Sequence, residues 1–259
     1  MSDQNDTRQP DAASVKAALI GIVERGQADE ETFRAAFSPE QRQRTGSAEA
    51  WAPKEVIAHL AYWKSLQAQR LAAVARGESL PEVGDFQTLN TESWPDLARL
   101  NWEESVARSD RATHDLLTTL EQAPESVWTG AALDAEQRER LIASTVGNTV
   151  GHVAEHTADY YLSLGDTAHA LEARRNAANY VFSSLLGAGA ESVARYNLAC
   201  FYALHGQPED AISELRQAFA LKPELIPWAR EDHDLDSLRE NAAFQALVPP
   251  APSAPEEDA

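Results

Sequence analysis

The sequence predicts an all-α protein: a four-helix bundle over residues 13–164, followed by short helical repeats over residues 165–248. Three observations carry this. Apolar residues recur at three- and four-residue spacing through the long segments. No stretch alternates well enough to make a strand. After Gly165 and Asp166 the long helices give way to shorter, alanine-rich helical units.

Residues 1–12 form a polar tail. From Ser14, the positions Val15, Leu19, Ile20, Ile22 and Val23 predict a helix broken near Gly26, and a turn-rich piece follows from Glu30 to Phe37, stopped by Ser38-Pro39. Pro53 suits the first position of a helix, where its missing N–H costs nothing. That helix carries His59 and runs to about Arg76, with Gly77 as its stop. A loop over 78–92 leads to Ser93 and Asp96, spaced as a capping box, and to a long helix through Leu97, Leu116 and Leu120 that Pro124 ends. A loop containing Trp128, Thr129 and Gly130 precedes the last bundle helix. Short connections favour antiparallel neighbours. The Pro-rich acidic end, 249–259, reads as disordered.

With 41 acidic against 22 basic residues, the formal charge is −19, which excludes nucleic acid and anionic membrane surfaces as partners. The hydrophobic fraction of 43% supports a folded core. No apolar run approaches the ~20 residues of a membrane span. The polar start lacks a signal-peptide pattern. The single cysteine, Cys200, cannot form an intrachain disulfide and reads as a small buried residue. Together these predict a cytoplasmic protein.

The chemistry-bearing stretch is Gly147-Asn148-Thr149-Val150-Gly151-His152-Val153-Ala154-Glu155-His156. His152 and His156 stand four apart, one turn or roughly 6 Å along a helix axis. They flank an apolar stripe from which a bundle helix can offer two imidazoles to a shared centre. His59 lies on another apolar helix, and the three are expected to converge. On its own, H-x3-H also suits polar rim residues. Asp159, seven residues after His152 and three after His156, is on the same face and is expected to orient a ligand imidazole or position water. Glu155 points away, toward solvent. Trp63, one turn beyond His59, is expected to line the pocket. Asn148 is expected to cap a helix, His114 has nothing to pair with, and His169, His205 and His233 are expected at the surface of the repeat region.

Residues from about 14 to 165 resemble the DinB-like four-helix bundle superfamily, and within it the ClbS/DfsB group. The resemblance rests on Trp51-Ala52-Pro53-Lys54-Glu55-Val56-Ile57-Ala58-His59-Leu60-Ala61-Tyr62-Trp63 and on the 147–156 stretch. It implies a divalent ion, Zn, Ni or Fe, held by His59, His152 and His156. It also implies either a metal-dependent hydrolase or thiol transferase acting on a small electrophilic or thiol-conjugated molecule, or a protein giving resistance to reactive metabolites. Residues 165–248 resemble tetratricopeptide repeats. Leu198, Ala199, Tyr202, Ala211, Leu215, Ala218 and Pro223 occupy the key places of one unit.

Two kinds of function follow. The first is a metal-dependent enzyme with a small-molecule substrate. The second is a non-catalytic interaction protein whose repeats bind a peptide; metal-free sequestration of a metabolite in the bundle is a further alternative. A homodimer is the assembly considered.

Overall fold

Asp11 opens the described chain by accepting the backbone N–H of Ser14 at 2.7 Å, which caps the first helix. The computed structural model describes residues 11–48 and 50–250; the expected tails at 1–12 and 249–259 lie almost wholly outside the described residues. No described residue belongs to a strand of a sheet, in keeping with the expected all-α class. Among the described residues no helix is long and apolar enough to cross a membrane. The chain divides into two compact units, residues 1–187 and 188–259.

In the first unit, α1 (Ala12–Ala35) runs unbroken through Gly26. The expected break is absent for a packing reason. A Cβ on Gly26 would stand 3.0 Å from the Val150 nitrogen and 3.2 Å from the Thr149 carbonyl carbon, so glycine serves a close helix crossing rather than a turn. A single turn, α2 (Pro39–Arg42), is capped by Ser38 and Gln41. Then α3 (Pro53–Ala75) ends as predicted: Gly77 has φ 82° and donates to the Val74 carbonyl, while Glu78 donates to that of Ala73.

The next segment differs from expectation. Asp85 caps a helix α4 (Phe86–Leu97), placing Pro95 near its end rather than at a start. The capping box for α5 (Trp102–Gln122) is formed by Asn101 and Glu104, not by Ser93 and Asp96. A 3₁₀ turn (Glu125–Val127) and a box formed by Asp134 and Gln137 lead to α6 (Ala135–Val146). This helix passes without a break through one π-helical stretch, Gly147–Gly151, into α7 (His152–Ser163). Asn148 is therefore no cap; its amide donates to the Gln67 side chain at 3.4 Å. Gly165, with φ 75°, turns the chain into α8 (Thr167–Ser183), which packs along α7.

Side-chain contacts give the directions of the four long helices. Lys54 reaches the Leu100 carbonyl and Lys64 reaches Ser109 and Thr113, so α3 and α5 run parallel. Gln67 meets Thr145 while His59 meets His152, so α6–α7 runs opposite to α3. Lys16 reaches the Glu121 and Ala123 carbonyls while Arg34 reaches Asp110, so α1 opposes α5. The antiparallel expectation thus fails for α3 and α5. The crossover through α4 carries the chain back along the bundle, and that return brings α4 to the histidines.

The bundle interior is not wholly apolar. Phe33, Phe37, Ile57, Leu60, Trp102 and Val153 form one core cluster near the histidine end. Beside it, Glu30 accepts from Lys64 at 2.7 Å, from Ser109 at 2.6 Å and from Arg34, while Lys64 also donates to Ser109 and Thr113. Every donor of the Lys64 ammonium is used, which is what allows it to stay buried.

In the second unit, α9 (Ala188–Leu204) and α10 (Pro208–Leu221) form a hairpin around Gly206, whose φ is 70°. Ala199, Ala211, Leu215 and Ala218 are fully buried where the helices meet. Two short helices, α11 (Ile226–Glu231) and α12 (Ala242–Leu247), and a 3₁₀ segment (His233–Leu238) complete it, with the Tyr196 hydroxyl donating to Asp232 at 2.8 Å. Cys200 is buried, as expected.

Candidate metal centre

Two helices supply the three imidazoles. His59 sits in the second turn of α3, 3% exposed, where the apolar run Ile57–Ala61 is otherwise entirely core. His152 and His156 occupy the first two turns of α7, directly after the π-helical stretch. An extra residue in one turn rotates everything beyond it. The π stretch therefore sets which face of α7 carries the histidines, and Gly26 of α1 packs on its backbone.

The three Nε2 atoms converge. His59 Nε2 lies 3.0 Å from His152 Nε2, which lies 3.2 Å from His156 Nε2. Two nitrogens bound to one ion at ~2.0–2.1 Å, at angles between octahedral and tetrahedral, stand ~2.8–3.4 Å apart. Both observed separations fall in that interval. Protons alone satisfy the cluster poorly, because the single hydrogen or lone pair on His152 Nε2 cannot point at two neighbours at once. The residues therefore fit a divalent ion.

Electrostatics points the same way. Burial pushes the His59 imidazole down to about 3, with the neighbouring His156 adding to it, and pushes His156 down to about 4. Burial also lowers His152 well below the ordinary value, helped by His156, His59 and Lys64. All three rings are thus neutral near pH 7, with lone pairs available for ligation. The Nδ1 atoms of His59 and His152 are buried and have no hydrogen-bond partner. Asp159 therefore accepts from neither of those two Nδ1 atoms.

A cavity of about 490 Å³ opens over the imidazoles. Asp159 lines it, but so does Glu155, which spacing alone turns toward solvent. Trp63 is not a lining residue. It is buried with its ring 6.3 Å from that of His59, and its indole N–H donates to Asn90 of α4 at 3.1 Å. The tryptophan that lines the cavity is Trp51, whose ring stands edge-on to His59 at 4.4 Å and stacks on Trp94 at 5.5 Å. Glu55 fixes this arrangement: wholly buried, its carboxylate accepts the backbone N–H groups of Gly46 and Ala52, tying the loop that carries Trp51 to the start of α3.

Phe33, Phe37, Val56 and Tyr160 complete the apolar wall. Tyr160 shares the face of His152 and His156, so helical spacing could have found it. Phe33 and Phe37 are hidden from the sequence by the apparent break at Gly26. His114, His169 and His233 are exposed and remote from the three histidines in the chain, whereas His205 is half-buried in the second unit.

No curated protein and no solved structure matches the chain. Residues 22–164 match the DinB superfamily, a span that exceeds half of the chain and takes in all three converging histidines. On that match, from within α1 to the end of α7, the chain belongs to the DinB superfamily.

Proposed function

We propose that the first unit is a metal-dependent enzyme acting on a small electrophilic or thiol-conjugated molecule, of the hydrolase or thiol-transferase kind. The observation that carries this reading is the convergence of three neutral imidazoles at the floor of an open cavity. Divalent metals are common in the superfamily, and Zn, Ni or Fe suits an all-imidazole set. An ion held there supplies Lewis acidity and brings the pKa of a nucleophile toward neutrality. His59, His152 and His156 hold it. Trp51, Phe33 and Phe37 shield the site from water and give an apolar body something to pack on. Asp159 and Glu155 stand within the cavity as proton acceptors.

The test is elemental analysis of the purified full chain beside a His59→Ala, His156→Ala variant. Near-stoichiometric metal in the parent and none in the variant supports the reading. A parent that takes up neither Zn nor Ni on titration sinks it.

A second reading, sequestration of a reactive metabolite as the ClbS/DfsB likeness implies, is favoured by the size and apolar wall of the cavity. It differs in surviving chelation of the metal. The α9–α10 hairpin supports a tetratricopeptide-like second unit that binds a peptide partner, and a lone buried cysteine fits a cytoplasmic setting.

A further inference from the structure

Asn90 lines the cavity from α4, and the direction of its side chain is set by a residue of another helix. The Trp63 indole N–H reaches its amide at 3.1 Å. An indole nitrogen only donates, so the atom it meets is the amide oxygen, and the amide nitrogen is the end turned away. That nitrogen has no partner among the described residues and is not sealed from water. Two N–H donors are therefore open on a residue of the cavity wall. The helix under Asn90 is held on both sides. One turn before it, Phe86 packs on Trp63 at 5.2 Å; one turn after it, Trp94 stacks on Trp51, whose ring meets His59. Tyr160 of α7 offers the cavity a further donor. Its hydroxyl accepts from Gln41 Nε2 at 3.5 Å, because Gln41 Oε1 is taken by the Ser38 N–H at 2.8 Å, which leaves the phenol hydrogen for an acceptor.

We propose that Asn90 determines specificity by holding a carbonyl oxygen of the bound small molecule, and that Trp63 positions it by fixing which end of the amide is presented. The substrate class is a neutral carbonyl compound, such as a ketone, ester, thioester or amide. Its apolar body lies against Phe33, Phe37 and Trp51. A carbonyl oxygen brings two lone pairs and no hydrogen, so it suits a wall that offers donors. A group that only donates would leave the Asn90 N–H₂ unpaired, which costs more than the bond itself gains. Asn90 thus acts on the substrate directly and Trp63 only through Asn90. This proposal rests on the reading of the cavity as a small-molecule site and narrows its electrophile to a carbonyl compound. Recognition by Asn90 requires no ion.

The test is ¹H–¹⁵N NMR of the labelled, chelator-treated full chain at pH 7, titrated with 4-phenylbutan-2-one. The side-chain amide peaks that vanish in Asn90→Asp belong to Asn90. These peaks are expected to shift as the ketone saturates, and Asn90→Asp is expected to bind it about tenfold more weakly. The aspartate still accepts the indole N–H, so it keeps the tie between α4 and α3 while offering the cavity no donor. An Asn90 that only anchors α4 would therefore leave ketone binding unchanged in that variant. Trp63→Phe has no N–H to hold the amide oxygen, so the amide is free to turn end for end, and affinity should fall by a smaller factor, about threefold. Thermal melts check that each variant folds, and Asn90→Ala serves as a second replacement. The proposal is overturned if the Asn90 peaks stay still at millimolar ketone, or if the Asn90 variants bind it as the parent does. Trp63→Phe binding as tightly as the parent overturns the positioning role. Zinc uptake is measured separately. A chain that loads zinc while its Asn90 peaks stay still keeps the metal reading and loses this one, and a chain that takes up no ion while those peaks shift does the reverse.

Discussion

Glu30 illustrates what a single residue does in this bundle. Burial alone would raise its carboxyl, but the Lys64 and Arg34 charges and the hydrogen bonds from Lys64 and Ser109 outweigh it and hold the group below its ordinary 4.5. The unfolded chain therefore takes up this proton first on acidification. The resulting stability is fully present above pH 4.5 and is lost as pH falls through the lower folded value. Glu30→Gln should flatten that acid limb, measured as urea midpoints between pH 6 and 3. Removing the side chain is more severe, because it leaves the buried Lys64 ammonium without its carboxylate while Arg34 keeps Asp110: Glu30→Ala should cost about 3–5 kcal/mol. The double change Glu30→Leu, Lys64→Met should cost less than that single one, and a larger loss would contradict it. Legibility in the sequence follows the same chemistry. His59, His152 and His156 stand out because imidazoles on apolar helix faces are conspicuous. Glu30 does not, since a glutamate among Asp29, Glu31 and Gly26 looks like solvated surface until Lys64 is placed against it.

Two glycines of α1 look alike in the sequence, yet only one of them packs against the segment that leads to the site. Gly21 and Gly26 both lie inside α1, and an alanine at either would favour the helix by about 0.5–1 kcal/mol. A Cβ at Gly21 meets nothing within 4 Å, so Gly21→Ala should raise stability by roughly that amount. A Cβ at Gly26 meets only backbone, that of the π-helical stretch preceding His152. Gly26→Ala should therefore lower stability by about 1–3 kcal/mol and weaken zinc binding beyond what the lost stability explains, because the displaced segment carries His152. Thermal melts and zinc titrations of the two variants test this, and equal affinities would separate the π stretch from the site. The same element shows where reading by periodicity stops. Helical spacing finds the stripe of α7 but has no sign for an extra residue per turn. Likewise it finds Trp63, on a helix, and passes over Trp51, whose place depends on the Glu55 carboxylate holding a loop. The α4 crossover escapes it too, since Pro95 suits a first turn but lies inside a helix that Asp85 begins.

For the molecule as a whole, similarity in sequence and compactness in space end at different residues. The superfamily match stops at 164, and the alanine-rich texture begins there, yet the first compact unit continues to Gly187. The added helix α8 packs along α7, stacks His169 on Tyr161 at 5.1 Å and sets Tyr180 beneath the Arg25 guanidinium at 4.1 Å. Gly165 and the small residues Ala170 and Ala177 have the spacing of a repeat, but the first helix of that hairpin is α7, which carries His152 and His156. A helix that covers the outer side of α7 helps to hold the two imidazoles toward α3. A fragment of residues 1–187 should therefore melt cooperatively and retain the metal affinity of the full chain. A fragment ending at 164 should be less stable by about 2–4 kcal/mol, the scale of one helix's buried apolar face, and should bind zinc more weakly. Calorimetry and zinc titration of the two fragments decide it. Equal behaviour would make α8 part of the repeats rather than of the bundle, whereas a difference confined to the shorter fragment would place the working boundary of the metal-binding unit at Gly187.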